Sequence, residues 1–192
     1  MTEPIRQVRN RRTVRVAFVI VLIVGAATWL IAYERMRLPA RFAVVEAGRL
    51  YRSSQPSTRQ IQRLIDEYHI KTVLIVRSGE SDRVPNEKEF CQAHGLRVVH
   101  IPIESRKSIP ESQVQEFFKC VDDSSAAPIL VHCSAGRHRT GYLCARYRIE
   151  RQGWALQRAI EELLSFGFDT EHESVVLEQL RRYQPMTASR AQ

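Results

Sequence analysis

Cysteine is scarce in this chain, with four in 192 residues: Cys91, Cys120, Cys133 and Cys144. There is no Cys-x-x-Cys pair, no metal-ligand spacing and no dense cysteine framework. That excludes a zinc-built or disulfide-stapled domain. Lysine is scarce too, with 4 against 25 arginines, the bias of a GC-rich, hence bacterial, coding sequence. No aromatic-and-basic stripe accompanies the net charge of +8, so nucleic acid is not the implied partner, whereas an anionic substrate suits the mild basic excess. No internal repeat occurs. With 44% hydrophobic and 26% charged residues, wholesale disorder is excluded as well.

Charge is absent from Val16 to Tyr33, VAFVIVLIVGAATWLIAY, a run of 18 residues. At about 1.5 Å per residue it rises roughly 27 Å, near the thickness of a hydrocarbon core. Trp29 and Tyr33 suit the lipid interface. The expectation is a single transmembrane helix, with a cleaved signal peptide as the other reading, although no clean small-residue cleavage site follows the run. Five arginines precede the span and Arg35, Arg37 and Arg41 follow it. The positive-inside rule then leaves the N-terminus cytoplasmic and the following domain periplasmic. The expected division is a basic leader (1–15), a membrane anchor (16–33), a linker (34–41), one domain (42–185) and a loose tail (186–192).

The domain reads as α/β. Phe42–Ser53 suggests two short strands around Ala47-Gly48. Ser57 with Gln60 three residues on is a capping box, and Ile61, Leu64, Ile65 and Tyr68 form one helical stripe. Apolar runs at 71–76, 96–101 and 128–132 read as buried strands. Helices are expected at 87–94, from Pro110 onward, and at 140–152, 154–166 and 171–183. Alternating strands and helices imply a mainly parallel sheet with helices on both faces. Cys91, Cys120 and Cys144 fall in apolar-patterned helices and read as reduced core residues.

The chemistry gathers at one turn. The strand ending at His132 runs into Cys133-Ser134-Ala135-Gly136-Arg137-His138-Arg139-Thr140-Gly141 and then into a helix. A tight loop between a strand and a helix N-terminus turns backbone amides inward and makes an anion site. A cysteine at its mouth should have its pKa lowered from about 8.5 to about 4–6. Arg139 returns to the rim, where its planar fork suits phosphate oxygens. Thr140 is set to donate to the sulfur, and His132 to orient the loop. Ser134, Ala135, Gly136, Arg137 and His138 supply the rest of the phosphate cradle.

HCSAGRHRTG resembles the signature of the protein tyrosine phosphatase superfamily. The resemblance extends to GRLYRSSQPS (48–57) and IKTVLIVR (70–77). Together these are similar to the compact dual-specificity branch, particularly the plant-and-fungal-type atypical members and their bacterial relatives. The resemblance covers 42–183 and implies a metal-free hydrolysis of phosphomonoesters through a cysteinyl-phosphate. It also implies an acidic residue about 30 positions before the cysteine, usually aspartate. The matching loop, IPIESRKSIPES (101–112), has no aspartate, so Glu104 is the candidate acid and Glu111 the runner-up. The first expectation for substrate is a phosphotyrosine or dual-specificity protein substrate. Arg137 and His138, as extra basic groups, keep phosphoinositides, inositol pyrophosphates and phospholipid head groups as the alternative. A phosphate-binding interaction module with little turnover is the second alternative.

Overall fold

A computed structural model describes residues 3–79 and 83–184. The chain divides into two units, Met1–Arg37 and Leu38–Gln192. In the second unit the strands are apolar runs whose alternate side chains enter two different cores, as the period-2 pleat requires. In β3 (Thr72–Ile75), Val73 and Ile75 join one cluster with Ile61, Leu64 and Cys91. Leu74, with Val76 just beyond, joins the other cluster with Val114, Phe117 and Leu143. In β5 (Ile129–His132), Leu130 faces the first core while Ile129 and Val131 face the second. A fully buried Val, Leu or Ile contributes roughly 1.5–3 kcal/mol. Strands without a polar face are therefore stable only when helices cover both sides.

The sheet has five strands in the order β1-β2-β5-β3-β4, where β1 is Ala43–Glu46, β2 Leu50–Ser53 and β4 Arg97–His100. β1 pairs antiparallel with β2 at one edge, and every other pairing is parallel. The first core lies under α2 (Thr58–Tyr68) and α3 (Arg83–Ala93). The second lies under α4 (Glu111–Asp122), α5 (Arg139–Gln152), α6 (Leu156–Ser165) and α7 (Ser174–Arg181). The Ser57/Gln60 capping box is formed at the start of α2. Pro110 is the residue before α4 rather than inside its first turn. α3 begins four residues earlier than the apolar pattern implied.

The register decides where the site lies. Ser53 of β2 and Ile75 of β3 both stand opposite His132 of β5. Three parallel strands therefore end at one level, and the loops that leave them converge on Cys133. Ligand sites of open parallel sheets form at such carboxyl ends.

The N-terminal expectation is corrected. α1 (Glu3–Met36) is one helix through the basic leader and the apolar run. Among the described residues, no helix is long and apolar enough to cross a membrane. The side chains of 31–33 lie outside the described residues. The transmembrane helix, the single-pass membrane localisation with a periplasmic domain and the membrane as partner fall together. The expected tail, 186–192, also lies outside the described residues.

Candidate active site

β5 delivers Cys133 to the base of the loop, where the residue is only 1% exposed. The three carbonyls that follow are each held by a donor from elsewhere in the chain. The Gln55 amide donates to Ser134 O at 3.1 Å. Arg41 Nη1 donates to Ala135 O at 3.2 Å, and Arg52 Nη2 to Gly136 O at 2.8 Å. A trans peptide unit points its N–H opposite to its C=O. Fixing these carbonyls outward turns the amides of Ala135, Gly136 and Arg137 inward. The Gly136 amide donates to Cys133 Sγ at 3.2 Å. Gly136 has φ +69, and a Cβ there would fall on the backbone of Ser53 and Ser54, so glycine is required.

Arg52 is a fully buried guanidinium, 1% exposed, stacked 3.8 Å over the Phe166 ring. It braces the outside of the loop. Arg41 works beside it, with Nε donating to Phe166 O at 3.0 Å. Neither role had a local signal, because Arg52 lies 84 positions from the carbonyl it holds and Arg41 lies 94.

Burial pushes the Cys133 thiol up, but the Thr140 hydroxyl and amide, Arg139 and the Gly136 amide outweigh it and hold the pKa below the ordinary value. The Thr140 hydroxyl is buried with no oxygen or nitrogen partner, which leaves it to the sulfur. Arg139 opens α5, and its Nη1 donates to Ile103 O at 3.3 Å while its Nε is buried without a partner. His132 Nδ1 is 3.1 Å from Cys133 O, and its Nε2 is 2.7 Å from Oε1 of Glu87. Glu87 is 3% exposed and also accepts from Gln55 Nε2 at 2.9 Å, while Gln55 Oε1 accepts from Arg77 at 2.8 Å. Glu87 and Gln55 were missed in the sequence, where each reads as an ordinary polar residue.

The other expected residues separate. His138 Nδ1 donates to Glu173 at 3.1 Å, and His138 Nε2 accepts from the Asp169 amide at 3.2 Å. Burial lowers the His138 pKa; Glu173 and Asp169 oppose this, and Arg137 and Arg139 add to it. The ring is therefore neutral and engaged on both sides, which leaves Arg137 as the extra cation of the loop. Arg137 Nε is buried without a partner. Glu104 is exposed and pairs with Lys107. Glu111 grips Arg146 with both oxygens at 2.9 Å, and that grip lowers its pKa, so it braces α4 to α5. Among the described residues no group of three or more His, Cys, Asp or Glu is placed to hold a metal ion.

A profile described as the tyrosine phosphatase family matches residues 37–186. Inositol diphosphatase DSP1 of Oryza sativa subsp. japonica is 31% identical over 133 residues, covering 67% of this chain and 58% of that protein. Dual specificity protein phosphatase TpbA of Pseudomonas aeruginosa (strain UCBPP-PA14) is 30% identical over 125 residues, covering 65% and 54%. The chain thus spans little more than half the length of these curated relatives. The core catalytic domain of the PP-IP phosphatase SIW14 of S. cerevisiae, solved with citrate, superposes with a TM-score of 0.69 at 25% identity. That overlap covers 80% of this chain and 91% of that one.

Proposed function

This chain belongs to the tyrosine phosphatase family, and from that premise we propose that it hydrolyses phosphomonoesters through a cysteinyl-phosphate on Cys133. The observation that carries the reading is the braced loop: outward carbonyls at Ser134, Ala135 and Gly136 aim a ring of amides at the space above the sulfur. Donors fixed before the substrate arrives need no reorganisation when charge shifts in the transition state. The Cys133 thiolate attacks phosphorus, an S–P bond forms and the ester P–O bond breaks. Glu104 gives the leaving oxygen its proton, a step worth about 10²–10⁴-fold. Arg139 and the amides of 134–139 hold the three remaining oxygens. Water then attacks phosphorus, the S–P bond breaks, and the Thr140 hydroxyl eases departure of the sulfur as phosphate is released. His132 orients the loop.

The first substrate reading is a phosphotyrosine or dual-specificity protein substrate, in line with the name of the Pseudomonas relative. A second reading, a phosphorylated inositol or head group with neighbouring phosphates, is favoured by Arg137, whose Nε is buried without a partner. The Oryza relative is named an inositol diphosphatase. A charged hydrogen bond is worth about 1.5–3 kcal/mol, or roughly 10- to 150-fold.

The experiment is hydrolysis of aryl phosphates, phosphotyrosine peptides and inositol pyrophosphates by wild type, Cys133→Ser and Arg137→Ala. Wild type should turn over in the presence of a chelator and be blocked by vanadate, and Cys133→Ser should fall to background. Activity surviving Cys133→Ser overturns the mechanism, and phosphate binding without any turnover returns the chain to a binding module. A loss in Arg137→Ala confined to the multiply phosphorylated substrates decides for the second reading.

A further inference from the structure

A buried carboxylate is stable only when hydrogen-bond donors replace the water it has lost. Glu173 is 2% exposed and lies just before α7, yet its side chain makes no capping bond to that helix. Its donors come from two other segments. Ser105 Oγ donates to Oε1 at 2.9 Å, and the Arg106 amide donates to Oε2 at 3.0 Å. The third donor is His138 Nδ1, on the phosphate loop, at 3.1 Å. The far side of that imidazole is held by the Asp169 amide, and its edge meets the Phe168 ring 5.1 Å away.

The segment gripped in this way is the one that carries Glu104. Its near end is fixed at Ile103, whose carbonyl accepts from Arg139 and from the Ser78 amide. Its far end turns through Arg106 at φ 62, a left-handed conformation that a non-glycine residue adopts at a cost. The amide of that strained residue is the one Glu173 holds. Consecutive residues of the phosphate loop, His138 and Arg139, thus secure the two ends of one turn.

We propose that Glu173 is a positioning residue, whose carboxylate latches the 103–106 turn onto the phosphate loop through His138 and so fixes the approach of Glu104 to the leaving group. The proposal deepens the phosphatase reading and rests on it. Glu173 touches neither phosphate nor sulfur and acts through Ser105, Arg106 and His138. Loss of the latch should leave the cradle and the thiolate intact while the turn wanders.

The test compares full-length wild type, Glu173→Gln and His138→Asn. In Glu173→Gln an amide NH2 replaces one acceptor oxygen and faces a donor. In His138→Asn the side-chain NH2 preserves the donor to Glu173. Deuterium uptake at amides 103–108 should rise about tenfold or more in Glu173→Gln and stay near wild type in His138→Asn. For Glu173→Gln, kcat on phenyl phosphate should fall at least about tenfold further than on 4-nitrophenyl phosphate, because only the poor leaving group needs the acid. KM and the rate of Cys133 alkylation should hold. Unchanged uptake overturns the latch, and so does an equal fall on both esters with slower alkylation, the pattern of a merely structural residue. If wild type hydrolyses neither ester, the phosphatase reading fails, while uptake still decides whether the latch exists.

Discussion

Burial strips solvent from a thiolate and raises a thiol's pKa. It pushes Cys91 up to about 12 and Cys144 up to about 11, and it raises Cys120 as well. Cys133 meets the same burial, but the Thr140 hydroxyl and amide, Arg139 and the Gly136 amide reverse its effect. The expected consequence is one reactive thiol among four. Iodoacetamide at neutral pH should modify Cys133 alone, as read by peptide mass spectrometry, and phosphate should protect it. The rate should be flat above the lowered pKa and decline as pH falls through it, since only the thiolate attacks. A second alkylated cysteine in the native protein would contradict this account.

At the scale of elements, the phosphate loop is a strand-to-helix turn whose shape is imposed from outside. Gly136→Ala forces a Cβ into the backbone of the β2 exit at a left-handed φ. Strain of this kind costs about 3 kcal/mol, or roughly 6–12 °C in Tm for a domain of this size. Calorimetry should register that loss, and vanadate affinity should fall with it. The loop itself was legible in the sequence because its signal is local: an apolar strand, Cys133, Gly136, Arg139 and a helix in unbroken order. The capping box at Ser57 was legible for the same reason. The braces were not, since Arg41, Arg52 and Gln55 reach the loop only once β2 lies beside β5. Glu173 is hidden more deeply: a glutamate before an amphipathic helix reads as a solvated residue until the fold buries it against the 103–106 turn. Glu111, the runner-up for the acid, illustrates the converse, since its carboxylate is engaged by Arg146.

At the scale of the whole molecule, both cores are built from residues between Leu38 and Tyr183, and the family match begins at residue 37. Hydropathy alone made the N-terminal run look like an anchor, whereas among the described residues no helix is long and apolar enough to cross a membrane. Within the domain, Arg52 stands out as a buried cation with no carboxylate among its described partners, and its Nε and Nη1 are without hydrogen bonds. An uncompensated buried charge raises the free energy of the folded state. An oxyanion in the neighbouring loop is its natural counter-ion. Phosphate or vanadate should therefore raise Tm, by about 2.7 kcal/mol of stability at a hundred times Kd. Scanning calorimetry with and without the anion would measure the gain, and an unchanged Tm at saturating vanadate would argue against it. A protein stabilised in this way has a lifetime tied to its diet. On the proposed phosphatase reading, the occupied form resists unfolding and proteolysis when phosphoesters are plentiful, and the same molecule is cleared sooner when they run out. The amount of the protein in a cell would then follow the supply of what it consumes, with no change in its synthesis.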